Sequence, residues 1–101
     1  MAKVFITLTG TNHYQGTEFL KPGMEVQLKK EPDNPYDKEA IRIQLDGIGK
    51  IGYVANSVYT VLGECISAGR LYDKIGKKAR ARVVYITPRG VVCQVVKKDL
   101  K

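Results

Sequence analysis

"MEVQLKKEPDNPYDKEAIRIQL", residues 24–45, decides how the rest of the chain is read. In its first part Met24, Val26 and Leu28 alternate with Glu25, Gln27 and Lys29. In its last part Ile41, Ile43 and Leu45 alternate with Arg42 and Gln44. Successive side chains of a β-strand point to opposite faces, so each run is a strand with one apolar face and one polar face. Between them Pro32 and Pro35 fix their own φ and hold Glu31 and Asn34 extended. Asn34 and Asp37 can hydrogen-bond their own backbone in Asx-type turns. The stretch therefore reads as two strands joined by a stiff corner that carries a tyrosine and a carboxylate, Tyr36 and Asp37.

The same period recurs on either side. Val4, Ile6 and Leu8 alternate with Phe5, Thr7 and Thr9, which predicts a first strand over 4–9. "KPG" at 21–23 turns the chain into the strand that begins at Met24. Asp46-Gly47 is a hairpin signal, and "KIGYV", 50–54, returns from it. The period then changes. Val58, Val61, Leu62, Cys65 and Ile66 recur at helical spacing. This predicts an amphipathic helix capped by Asn56 or Ser57, ended by Gly69, with Cys65 facing the core. "LYDKIG", 71–76, reads as a short helical turn or a loop. "KARARVVYIT", 78–87, returns to period two, with Lys78, Arg80 and Arg82 on one face and Ala79, Ala81 and Val83 on the other. "PRG" at 88–90 is a tight connection to a last strand, "VVCQVV".

The element order is β-β-β-β-α-β-β. Six short strands with one helix bury their apolar faces and remove their edges by closing. The expectation is a mainly β fold, a six-stranded small barrel of OB-like or SH3-like type, with the helix over an open end. At 101 residues it is one domain, 1–101.

Composition limits the function classes. With 44% hydrophobic and 27% charged residues the chain is globular rather than disordered. No apolar run approaches the roughly 20 residues of a membrane helix, and "MAKVFITLTG" lacks the long apolar region of a signal peptide. Cys65 and Cys93 read as reduced thiols of a cytoplasmic protein. With the lone His13 they fall short of the roughly four ligands of a zinc site. No cofactor, metal or membrane partner is expected. The net charge of +7 is unevenly placed: residues 1–50 hold seven basic and seven acidic side chains, residues 51–101 ten basic and three acidic. Charge gathered in one half suits a polyanionic partner or a solvated face.

The chemistry centres on the corner. Tyr36 and Asp37 set a stacking face beside an acceptor. The loop "GTNHYQG", 10–16, adds Asn12, His13 and Tyr14. If both lie at one barrel end they frame a cleft with aromatic walls. Bases stack on aromatic side chains at ~1–3 kcal/mol each. A carboxylate repels phosphate but accepts a hydrogen bond from a hydroxyl, so Asp37 suits a sugar hydroxyl.

"GTNHYQG", "EPDNPYDKEAI" and "IGYV", followed by a helix, together resemble the HIRAN domain over residues 4–96. That domain occurs in certain fork-remodelling SWI/SNF-type ATPases and as a small stand-alone bacterial protein, the kind this chain is similar to. The resemblance implies an OB-like barrel of six strands that binds single-stranded DNA at a free 3′ end, in a DNA-repair setting. It implies Tyr36 as a stacking wall, Asp37 as acceptor for the 3′-hydroxyl, and Asn34 as a backbone contact or a brace of the corner. In the first loop, Asn12, His13 and Tyr14 stand where end-binding members carry a basic residue and an aromatic pair. Tyr53 stands at a variable position after "IG", and Asn56 where a lysine can occur. Lys50, Arg80 and Arg82 could supply compensating charge. A domain without a motor would need a helicase or nuclease partner for any remodelling.

Two other readings fit parts of the chain. One is a protein-interaction or structural barrel with no nucleic-acid role, in which the corner only stiffens the fold. The other is a metal-dependent nuclease built on Asp33, Asp37 and Glu39. No P-loop, G-x-S-x-G or Cys–His arrangement is present, so no enzyme is expected.

Overall fold

The computed structural model describes residues 3–11 and 17–101. Six strands, β1 (Phe5–Thr9), β2 (Glu25–Lys30), β3 (Ile41–Leu45), β4 (Gly49–Val54), β5 (Lys78–Thr87) and β6 (Gly90–Val95), and one helix, α1 (Ala68–Tyr72), follow the expected order. The strands close into a barrel in the order β1-β4-β3-β2-β5-β6. Every pairing is antiparallel.

The alternation read in the sequence sorts inside from outside. On β5, Ala79, Ala81 and Val83 are buried while Lys78, Arg80 and Arg82 are exposed. Ile6, Leu8, Val26, Leu28, Ile43, Ile51, Val91, Cys93 and Val95 fill the interior. Each such aliphatic contributes about 1.5–3 kcal/mol by leaving water. The barrel closes between β4 and β1 through a short seam, the pairs Leu8↔Val54 and Thr9↔Tyr53. A side chain at Gly52 would collide there with the Thr9 carbonyl oxygen and meet Leu8 Cδ1 at 2.6 Å. The glycine of "IGYV" is thus a requirement of closure. Gly47, at φ +81°, makes the left-handed turn between β3 and β4.

The helix is displaced from its expected place. Residues 58–66 form turns, with Val58 and Tyr59 each 87% exposed. The helical spacing there does not mark a core-facing stripe. Gly63, at φ +51°, breaks the segment, and Cys65 is only half-buried. The helix forms five residues long at Ala68–Tyr72, where Ala68 and Leu71 are fully buried. Ser67 caps it by accepting from the Arg70 backbone N–H at 3.3 Å. Gly69, expected to end a helix, lies inside this one. Among the described residues no helix is long and apolar enough to cross a membrane.

Candidate nucleic-acid interface

The corner between β2 and β3 is braced in layers. Glu31 N–H donates to the Ala40 carbonyl at 2.8 Å, one pair beyond the β2–β3 ladder. Within it, Asn34 Oδ1 accepts from the backbone N–H of Tyr36 at 2.9 Å and of Asp37 at 3.0 Å. Asp37 Oδ1 accepts from Glu39 N–H at 2.9 Å. These are the Asx turns the residue types predict. The bracing leaves the Tyr36 ring outside: it is 95% exposed. Asp37 is half-buried, and its second oxygen, Oδ2, accepts from Asn56 Nδ2 at 3.0 Å.

The inner wall of the corner belongs to Glu31. Its Oε1 accepts from Asn34 Nδ2 at 3.0 Å and from the Tyr53 hydroxyl at 2.9 Å. Lys50 Nζ donates to that same hydroxyl at 2.9 Å and lies 4.9 Å from the Tyr53 ring centroid. Arg42 Nε lies 3.5 Å from Glu31 Oε2, an ion pair without hydrogen-bond alignment. Burial pushes the Glu31 carboxyl up, but the hydrogen bonds from Asn34 and Tyr53 and the charges of Lys50 and Arg42 outweigh it and hold the carboxyl below its ordinary range. Burial, with Glu31 close by, raises the Tyr53 phenol above its usual value against the pull of Lys50.

Together these residues frame an open cleft of about 820 Å³. Lys29, Lys30, Arg42 and Lys50 line it against three carboxylates, Glu31, Asp33 and Asp37. Lys30 is anchored, donating to the Ile75 carbonyl at 2.9 Å with its ammonium 4.3 Å from the Tyr72 ring centroid. Chemically the cleft offers an uncovered aromatic face, a carboxylate with spare acceptor capacity and a cationic rim. Among the described residues no group of three or more His, Cys, Asp or Glu side chains could hold a metal ion.

Of the residues singled out from sequence, Asn34, Tyr36, Asp37, Lys50 and Tyr53 all line this cleft. Asn12, His13 and Tyr14 lie outside the described residues. Arg80 and Arg82 are elsewhere. Arg80 is held by Asp99 through Nε at 2.9 Å and Nη2 at 3.2 Å, and Arg82 sits 3.9 Å from Glu25 and bonds the Gly23 carbonyl at 3.4 Å. Sequence reasoning passed over Glu31, the hub of the network, and Arg42 on its far side. Arg42 carried a signal, since the polar face of the strand after the corner must look outward beside it. Asn56 proves to be the tie between Asp37 and α1, donating to the carboxylate while its Oδ1 accepts from Gly69 N–H at 2.8 Å.

The family model of the HIRAN domain matches residues 1–96 of this chain. Among solved structures, a protein from Lactobacillus plantarum is 20% identical, covers 93% of each chain and superposes with a TM-score of 0.63. The HIRAN domain of human HLTF is 17% identical, covers 93% of this chain and 74% of that chain, with a TM-score of 0.62. At these identities the structural likeness is one of fold. None of the curated proteins matches.

Proposed function

The chain belongs to the HIRAN family of nucleic-acid-binding modules, and we propose that its corner cleft takes the free 3′-hydroxyl end of single-stranded DNA. The observation that carries this is the pairing of an uncovered Tyr36 ring with the Asp37 carboxylate in one braced corner. The ring gives the terminal base a stacking surface. An ionised carboxylate has about four lone-pair sites. Asp37 is seen to use two of them, on Glu39 N–H and Asn56 Nδ2, which leaves room for a hydroxyl donor. Asn34 fixes the backbone of both residues and so acts by positioning them. Lys50 and Arg42 offset the carboxylates and favour the backbone phosphates that follow. Capture of an end without processing it would deliver that end to a helicase or nuclease partner.

The test is fluorescence anisotropy with single-stranded oligonucleotides ending in a 3′-hydroxyl or a 3′-phosphate. A hydrogen bond to a charged group contributes about 1.5–3 kcal/mol. The phosphate should therefore weaken binding by roughly tenfold or more, since it also sets a negative charge against Asp37. Asp37→Ala should remove the discrimination. Equal affinity of the native chain for both ends would overturn the reading.

A further inference from the structure

The cleft does not stop at the corner. Lys29 lines it and also lines a second hollow of about 460 Å³ on the outer face of β2 and β5, with Gln27, Gln44, Lys78 and Arg80. The sheet register explains the continuity. Tyr53 pairs with Arg42, Arg42 with Lys29, and Lys29 with Lys78, so these four residues form one lateral row across β4, β3, β2 and β5. Neighbouring strands lie about 4.8 Å apart, so Arg42 and Lys29 flank the base of the corner and Lys78 stands one strand step further out on β5.

The row differs from the charges around it. Arg80 and Arg82, in the parallel rows, are engaged by Asp99 and Glu25. The side chains of Lys29 and Lys78 make no hydrogen bond or ion pair among the described residues. Of the two carboxylates bordering the second hollow, Asp99 is taken by Arg80 and Asp46 stands in the β3–β4 turn, at the end of β3 away from the corner. Lys29 and Lys78 therefore set two uncommitted cations side by side, the first of them in the cleft.

From this we infer that the outer face of β2 and β5 is a phosphate track, in which Lys29 and Lys78 hold the DNA backbone as it leaves the corner toward its 5′ side. The inference rests on the proposed end-binding reading and adds the direction of the bound DNA strand and a second set of contacts. Base identity plays no part in it, since the contacts are to phosphate.

The experiment compares a three-nucleotide and a ten-nucleotide deoxythymidine oligonucleotide, each with a free 3′-hydroxyl, on the native chain and on K29Q/K78Q, by anisotropy across a salt series. Each phosphate contact contributes about −0.7 to the slope of log affinity against log salt for single strands. Losing two should flatten the slope for the longer strand by about 1.4 and lower its affinity roughly tenfold near 0.15 M salt. The short strand, which meets Lys29 in the cleft but ends before Lys78, should lose only about half as much slope, ~0.7, and roughly fourfold in affinity on the same counterion argument. Equal loss for both lengths, loss for neither, or no gain in native affinity from three to ten nucleotides overturns the track. The 3′-hydroxyl against 3′-phosphate comparison on K29Q/K78Q separates the two ideas. End discrimination retained alongside a lost length dependence supports the track. If the native chain ignores the 3′ group yet keeps the length dependence, the end-binding reading fails alone. Thermal melting checks that the variant folds as the native chain does.

Discussion

Tyr36→Ala separates a binding role from a structural one. If the ring braced the barrel, its loss would destabilise the fold. The ring is 95% exposed, so only about 5% of its surface is in contact with the rest of the chain. Taking about 200 Å² for a tyrosine, that is ~10 Å² of contact. At about 25 cal/mol per Å² the loss amounts to ~0.3 kcal/mol. For a domain of this size such a change moves the melting temperature by about 1–2 °C. The backbone N–H of residue 36 still reaches Asn34 Oδ1, because that bond does not involve the side chain. Stacking on a terminal base, by contrast, contributes ~1–3 kcal/mol. The expected loss in affinity for a 3′-hydroxyl oligonucleotide is therefore about 5- to 150-fold, read by anisotropy at fixed salt. Tyr36→Phe keeps the ring and should stay near native. A Tyr36→Ala chain that melts many degrees lower, or that binds as well as the native chain, would refute the assignment of the ring to stacking.

Other consequences follow from the same geometry. Glu31 has a folded pKa below its ordinary value of 4.5, so the stability it provides is complete above that value and drains away as pH falls through the lower folded one. Thermal melts from about pH 3 to 7 should show an acid limb that Glu31→Gln flattens; an unchanged limb would remove Glu31 as its source. Gly52→Ala places a Cβ against the Thr9 carbonyl and Leu8 Cδ1 and should lower stability by about 1–3 kcal/mol through overpacking, with denaturant midpoints as the check. The Cys93 thiol is buried, and burial, with Cys65 nearby, pushes its pKa up to about 12. A thiol reagent near pH 8 should label only the half-buried Cys65 in the folded chain and both cysteines in denaturant; rapid labelling of both without denaturant would contradict the packing.

The strands and the corner were legible because their signals are local. Alternation on 24–45 and 78–83 assigned faces correctly, though a bulge between Val83 and Tyr85 breaks it and leaves Tyr85 exposed, and Pro32, Asn34, Pro35 and Asp37 dictate their turns through bonds that span three residues or fewer. The helix was not legible in the same way. Val58, Val61 and Leu62 have helical spacing, yet spacing does not say whether an apolar surface waits opposite, and Val58 meets solvent. Charge misled for a related reason. The excess of basic residues lies in the second half of the chain, but the cations lining the cleft, Lys29, Lys30, Arg42 and Lys50, all come from the first half. Arg80 and Arg82 of the second half are already engaged by carboxylates. Lys78 joins Lys29 only through the β2–β5 register, a pairing between residues far apart in sequence.

The displaced helix bears on the site itself. Asp37 is fixed from the corner by Glu39 N–H, but on its other oxygen by Asn56, whose carbonyl end is held by the first turn of α1 at Gly69. Glu39 lies against the same turn so closely that a Cβ at Gly69 would come within 2.6 Å of its Oε1. A helix over residues 58–66 would have put Gly69 beyond its end, and this buttress would not exist. A carboxylate held on both sides keeps its geometry before any ligand arrives, and little ordering entropy is then lost on binding. Two prolines on one flank and a helix start on the other explain how so exposed a corner can hold a stacking ring and an acceptor in fixed relation.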